Sequence, residues 1–241
     1  MNIFFYTILF IIGIVIGRYW DIEAKEIPKK LDLKRTHYSK NPNEKFISQL
    51  TYALIGGVSS VILANTLRIN VNNLDLSSIV IYFFAMLYVS TLVVIAGIDK
   101  NYSKIDKKVL AFGIVSSIVY MIYIFSIDSA SAYLNVRYLL IYMVLLIIDA
   151  FLLRKFAKDS YIINLLMLLG IILVYSNFWI LAYTLLMALV AVLLYIIILK
   201  SQQKKNGNKK IKINEIPVGF FIATSNIIIL FMIRIFENYL I

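Results

Sequence analysis

Apolar residues in this chain come in long unbroken runs, separated by short charged segments. They do not alternate in the pattern of a half-buried strand. Eight runs can be marked, over 2–18, 47–67, 77–98, 109–127, 133–153, 161–175, 178–199 and 216–236. Each holds about 15 to 22 residues, near the length a helix needs to cross about 30 Å of hydrocarbon. The run over 161–175 is the shortest. The many Ile, Val and Tyr residues would favour strands in water. In lipid, only a helix or a closed barrel satisfies its own backbone, and runs of this length suit the helix. The pattern predicts an all-α polytopic membrane protein with about eight transmembrane helices.

Charge adds an orientation to this picture. Of the 24 Lys and Arg residues, 21 fall in four segments: Arg18 to Lys45, Lys100 to Lys108, Arg154 to Lys158 and Lys200 to Lys212. If the runs alternate across a bilayer, those segments share one face, and Arg68, Arg137 and Arg234 face the other. Cytoplasmic loops carry the excess of Lys and Arg. The expected topology has both termini outside and the basic loops in the cytoplasm, in a multi-pass protein of the cell (plasma) membrane. The net charge of +11 then serves topology and a lipid-bilayer partner and implies no nucleic acid.

The chain is 61% hydrophobic, with a mean hydropathy of +0.86, beyond the range of soluble domains. The first run lacks a basic leader and a small-residue cleavage site, so it reads as a retained helix and not a signal peptide. One membrane-embedded domain over 1–241 is expected, with a short cytoplasmic loop at 19–46 and a flexible linker at 201–213. Tyr175, Phe178, Trp179 and Tyr239, at run ends, read as interfacial belt residues.

Candidate chemistry is limited to carboxylates. Cysteine is absent and His37 is the one histidine. Disulfides, thiolate sites and a cysteine nucleophile are therefore excluded; His37 cannot by itself build a zinc site or a serine triad, and no metal site is expected. Asp99 closes the third run and Asp159 opens the sixth, at the same expected face. A carboxylate against hydrocarbon is costly and is retained for a partner or a function. Two carboxyls in one site share a proton: one can take a proton from water while the other protonates a leaving group. The plainer reading makes Asp159 the N-cap of its helix. Asp149, deeper in VLLIIDAFLL, is a secondary acid candidate or a buried partner of Arg154. Asp106, among Lys104, Lys107 and Lys108, reads as a solvated charge.

At these positions the chain resembles the type IV prepilin peptidases, integral-membrane aspartyl proteases that remove leader peptides from type IV pilins and pseudopilins. IAGIDKNYSKIDKK aligns Asp99 with the first catalytic Asp and Ile105 with the Ile of a following Ile-Pro, while Asp106 replaces the Pro. FAKDSYIINLL aligns Asp159 with the Asp of Gly-x-Gly-Asp, while Phe156 and Lys158 replace both glycines. IPVGFFIA, Ile216 to Ala223, is similar to the tail motif, with Pro217 and Gly219 matching. FIIGIVIGRYW and EKFISQLTYALIGG echo the first two helices, with Gln49 where the family often has Glu.

The resemblance implies catalytic Asp99 and Asp159, supported by Ile105, Lys158, Pro217 and Gly219. It implies cleavage of a prepilin-like or pseudopilin precursor at the cytoplasmic membrane face. Lys158 stands beside Asp159 in sequence, and Glu23, Glu26 and Glu44 offer local acids toward a basic leader. No cofactor is expected. The S-adenosylmethionine-dependent methylation of many bacterial members is not carried over, because no glycine-rich nucleotide loop is present. The lost glycines leave a non-catalytic relative that binds or scaffolds pilin-like helices as the alternative. A small ion-coupled transporter using Asp149 is a further alternative, without the paired hydropathy repeat such folds carry.

Overall fold

The architecture is described from a computed structural model. It describes 2–30, 44–67, 69, 74–130, 160–206 and 216–240, with isolated positions between 133 and 144. Side chains are described over a slightly narrower set. Among the described residues there are seven helices and no strand. They are α1 (Asn2–Lys30), α2 (Glu44–Thr66), α3 (Leu76–Tyr102), α4 (Lys107–Ile127), α5 (Ser160–Tyr175), α6 (Phe178–Asn206) and α7 (Val218–Leu240).

Four of these are long and apolar enough to cross a membrane: α1, α3, α4 and α6. That is the composition of a helical membrane protein. α5 is apolar but has only 16 residues, about 24 Å at the usual rise. The apolar part of α7, Val218–Met232, is also short. α2 carries Ser48, Gln49, Thr51, Ser59, Ser60, Asn65 and Thr66 along its length and is not among those four. Most of the expected fifth run, 133–153, lies outside the described residues.

Two boundaries differ from the sequence pattern. α1 continues through Lys30, so the first part of the segment expected as a loop at 19–46 is helical. α6 continues to Asn206, into the expected linker. In both, the charged stretch lacks a strong stop signal, and hydropathy marks where a helix leaves lipid, not where its backbone ends. Pro28 sits inside the last turns of α1.

α3 is the central helix. Every residue from Thr91 to Asp99 is buried, as expected of a helix apolar on all sides inside a bundle. It packs against α1, α4 and α7, and α7 also lies along α6. Asp75 caps its start, accepting the Ser78 N–H at 3.2 Å. The hydrogen bond from Ser78 holds this exposed carboxyl below its ordinary range.

α1 and α2 meet backbone to backbone. Gly13 and Gly17 are four residues apart and face Gly56 and Tyr52. A Cβ on Gly17 would lie 2.1 Å from the Tyr52 carbonyl oxygen, and one on Gly56 would lie 2.2 Å from that of Gly13. Such small-residue faces let helices associate in lipid, where van der Waals contact replaces the hydrophobic drive.

A buried polar chain ties three helices together. Tyr88 Oη donates to Asn226 Oδ1 at 2.6 Å, and Asn226 Nδ2 donates to Thr184 Oγ1 at 3.0 Å. Thr184 Oγ1 then donates to the Ile180 carbonyl at 2.7 Å. Tyr175, expected in an interfacial belt, instead stacks between Tyr88 and Tyr120, with ring centroids 4.4 and 4.6 Å away. Its hydroxyl meets Ser116 at 2.9 Å. Phe178 and Trp179 are exposed, as belt residues are.

Candidate active site

The site forms where α3 ends, because its last turn is closed locally. Ser103 adopts a left-handed conformation, φ 47°, and its N–H bonds the Asp99 carbonyl at 2.8 Å. This is the common helix stop, made here without glycine. Three residues on, Asp106 caps α4, accepting the Lys108 N–H at 2.8 Å and the Val109 N–H at 3.1 Å. Asp106 is 8% exposed. The expectation of a solvated charge is corrected: free helix-start amides hold this carboxylate inward.

The Asp99 side chain, 0% exposed, points into the bundle and meets two other helices. The Tyr161 hydroxyl, from the first turn of α5, donates to both carboxylate oxygens at 2.9 Å. The Phe220 N–H, from the first turn of α7, donates to Oδ2 at 2.8 Å. The Gly219 N–H donates to Tyr161 Oη at 3.2 Å. Asp99 therefore caps α7 from another helix, at the positive end of its dipole.

The tail motif explains this approach. Pro217 precedes the first helical residue, where its missing N–H costs nothing and its fixed φ suits a helix start. Its carbonyl accepts the Phe221 N–H at 3.4 Å. Gly219 leaves room for the carboxylate: a Cβ there would lie 3.0 Å from Asp99 Oδ2 and 2.8 Å from Ile105 Cδ1. Ile105 is buried on the other side of that gap, and its carbonyl accepts Asn164 Nδ2 at 2.9 Å. Lys100 Nζ lies 5.6 Å over the Phe220 ring, within cation–π range.

Four residues singled out from the sequence therefore converge: Asp99, Ile105, Pro217 and Gly219. Asp159, Lys158 and Asp149 lie outside the described residues. Among the described residues, no three His, Cys, Asp or Glu side chains gather as metal ligands.

The chain matches no protein-family model, no curated protein and no solved structure.

Three site-region residues were not foreseen. Tyr161 and Asn164 stand three apart in an apolar run, the spacing that puts side chains on one helix face. That spacing was the available signal. The third is Asp21, inside the segment expected as a loop at 19–46. It is 2% exposed on α1, ion-paired with Lys25 and accepting the Ser48 hydroxyl at 2.6 Å. Its burial follows from the continuation of α1, which charge alone concealed. Next to it, the Tyr52 hydroxyl approaches α3 at Gly97, where a Cβ would be 2.0 Å away.

Chemically, the arrangement is one buried carboxylate held by a phenol and a helix-start amide, at the end of an apolar helix. Such a group can exchange a proton with water or a substrate once its neighbours give access.

Proposed function

We propose that this chain is an intramembrane aspartyl endopeptidase of the prepilin-peptidase kind, removing the leader of a prepilin-like precursor at the cytoplasmic face of the plasma membrane. The observation that carries the reading is the meeting of three distant segments at Asp99. These are its own helix end with Ile105, the first turn of α5, and the Pro217–Gly219 turn. Each contains or adjoins one of the motifs that carry the resemblance. Tyr161, which contacts Asp99, follows Asp159 by two residues. Two peptide units span at most about 7 Å, so a partnership of Asp159 with Asp99 fits the chain. The substitution of Asp106 for the family's Pro is also compatible, because capping starts α4 as a proline would.

The wider topology belongs to the same reading: eight spans, both termini outside and the basic loops in the cytoplasm. A precursor lays its apolar helix in the bilayer beside the chain. One aspartate takes a proton from water, and the hydroxide adds to the scissile carbonyl carbon. The other aspartate protonates the nitrogen, and the C–N bond breaks to leave a carboxylate and a free amine.

The full burial of Asp99 favours a second reading, a relative that holds pilin-like helices without cutting them. One experiment separates the two. The chain is co-expressed with prepilin-like precursors of the same genome, and leader removal is scored by mass, with Asp99→Asn and Asp159→Asn beside wild type. Loss of cleavage in both variants supports the protease. A folded, inserted wild type that cleaves none of them supports the binding protein. Cleavage that survives Asp159→Asn assigns the second acid elsewhere, with Asp149 next.

A further inference from the structure

We propose that Tyr161 is a positioning residue for Asp99, holding its carboxylate in the orientation needed for proton transfer and linking it to the α5 and α7 helix starts. The inference rests on the protease reading for its kinetic consequence, but its physical basis stands apart from that reading. The hydroxyl reaches both oxygens of a fully buried carboxylate at 2.9 Å. The same oxygen accepts the Gly219 N–H at 3.2 Å. One atom thus bridges α3, α5 and α7. Asn164, on the same face of α5, makes a second bond to the Ile105 carbonyl at 2.9 Å. α5 is therefore fixed at two points against the turn that carries Asp99.

A hydroxyl shared between both oxygens restricts rotation of the carboxyl group about its last bond. The Phe220 N–H reaches Oδ2 only. Without the Tyr161 hydroxyl, Oδ1 loses its described donor, and the carboxyl is held from the α7 side alone, by the Phe220 and Gly219 amides at the start of that helix. A group that must pass a proton in one geometry loses rate when it samples others. Substrate affinity is set along the precursor helix and does not depend on that rotation. Packing alone does not require the hydroxyl, because phenylalanine fills nearly the same volume.

The test is Tyr161→Phe in the full chain, in membranes, with two readouts. In the cleavage assay the expected result is a fall in kcat of tenfold or more, little change in KM, and a displaced pH–rate profile. The second readout needs no activity. The hydrophobic reagent dicyclohexylcarbodiimide is added to folded protein, and adduct on the Asp99 peptide is followed by mass spectrometry. The variant is expected to label at least fivefold faster than wild type, because the hydroxyl that covers both oxygens is gone. Asn164→Leu is the control: it removes a neighbouring bond but leaves Asp99 covered, so labelling stays at the wild-type rate.

Wild-type labelling of Asp99 in Tyr161→Phe overturns the proposal, whatever the cleavage result. Fast labelling in Asn164→Leu as well also overturns it, since any loosening of α5 would then suffice. Fast labelling in Tyr161→Phe alone, with a wild type that cleaves nothing, upholds the hold on Asp99 and removes the protease reading.

Discussion

Replacing Gly219 by alanine tests the construction of the site most directly. The added methyl would stand 2.8 Å from Ile105 Cδ1 and 3.0 Å from Asp99 Oδ2, where non-bonded carbons prefer about 3.5–4.0 Å. Ile105 is 5% exposed, so its terminal carbon has little space to swing aside. Asp99 is held by Tyr161. The first turn of α7 is the part left to move, and a shift of roughly 0.5 Å or more is needed to relieve the contact. The Phe220 N–H bond starts at 2.8 Å and weakens, while the Gly219 bond to Tyr161, at 3.2 Å, is lost. Overpacking costs about 1–3 kcal/mol, and a damaged bond to a charged group about 1.5–3 kcal/mol. Alanine returns up to ~1 kcal/mol of helix propensity. The net expectation is a loss of about 1.5–6 kcal/mol. It is measured by SDS-titrated unfolding in mixed micelles, with Val218→Ala as the neighbouring control. If Gly219→Ala unfolds within about 0.5 kcal/mol of wild type and Asp99 labels at the wild-type rate, the close packing of α7 on Asp99 is wrong.

Two further predictions concern the elements around the site. Asp106→Ala removes the cap of α4 and is expected to cost about 1 kcal/mol, with Asp106→Asn retaining most of it. Equal stability of the alanine variant and wild type in the same titration would contradict the capping role. Asn226→Leu leaves the buried Tyr88 hydroxyl without its acceptor, an expected loss of about 1–3 kcal/mol. In a double-mutant cycle with Tyr88→Phe, a coupling of about 0.5–1.5 kcal/mol is expected, and strict additivity would show that the two groups do not interact.

The helices were legible in the sequence, because lipid leaves a long apolar run few other structures. The observed helices coincide with seven of the marked runs to within a few residues, apart from the extended ends of α1 and α6. Asp99 is legible from its place at the close of an apolar run, while Ile105, Pro217 and Gly219 stand out only through the resemblance to the prepilin peptidases. What the sequence could not supply was the partner of each group. Hydropathy records how apolar a position is and says nothing of which helix lies against it. Asp106 and Asp21 both read as loop charges among lysines, yet both are buried, one by free helix-start amides and the other by Lys25 and Ser48. Tyr161 read as one more aromatic, and only the crossing of α3, α5 and α7 puts its hydroxyl on Asp99. The run pattern determined the class of protein and the residues at its helix ends. The tertiary packing decided which carboxylate is covered, and by what, because hydrogen bonds between helices depend on their rotation and register, which one-dimensional hydropathy does not encode.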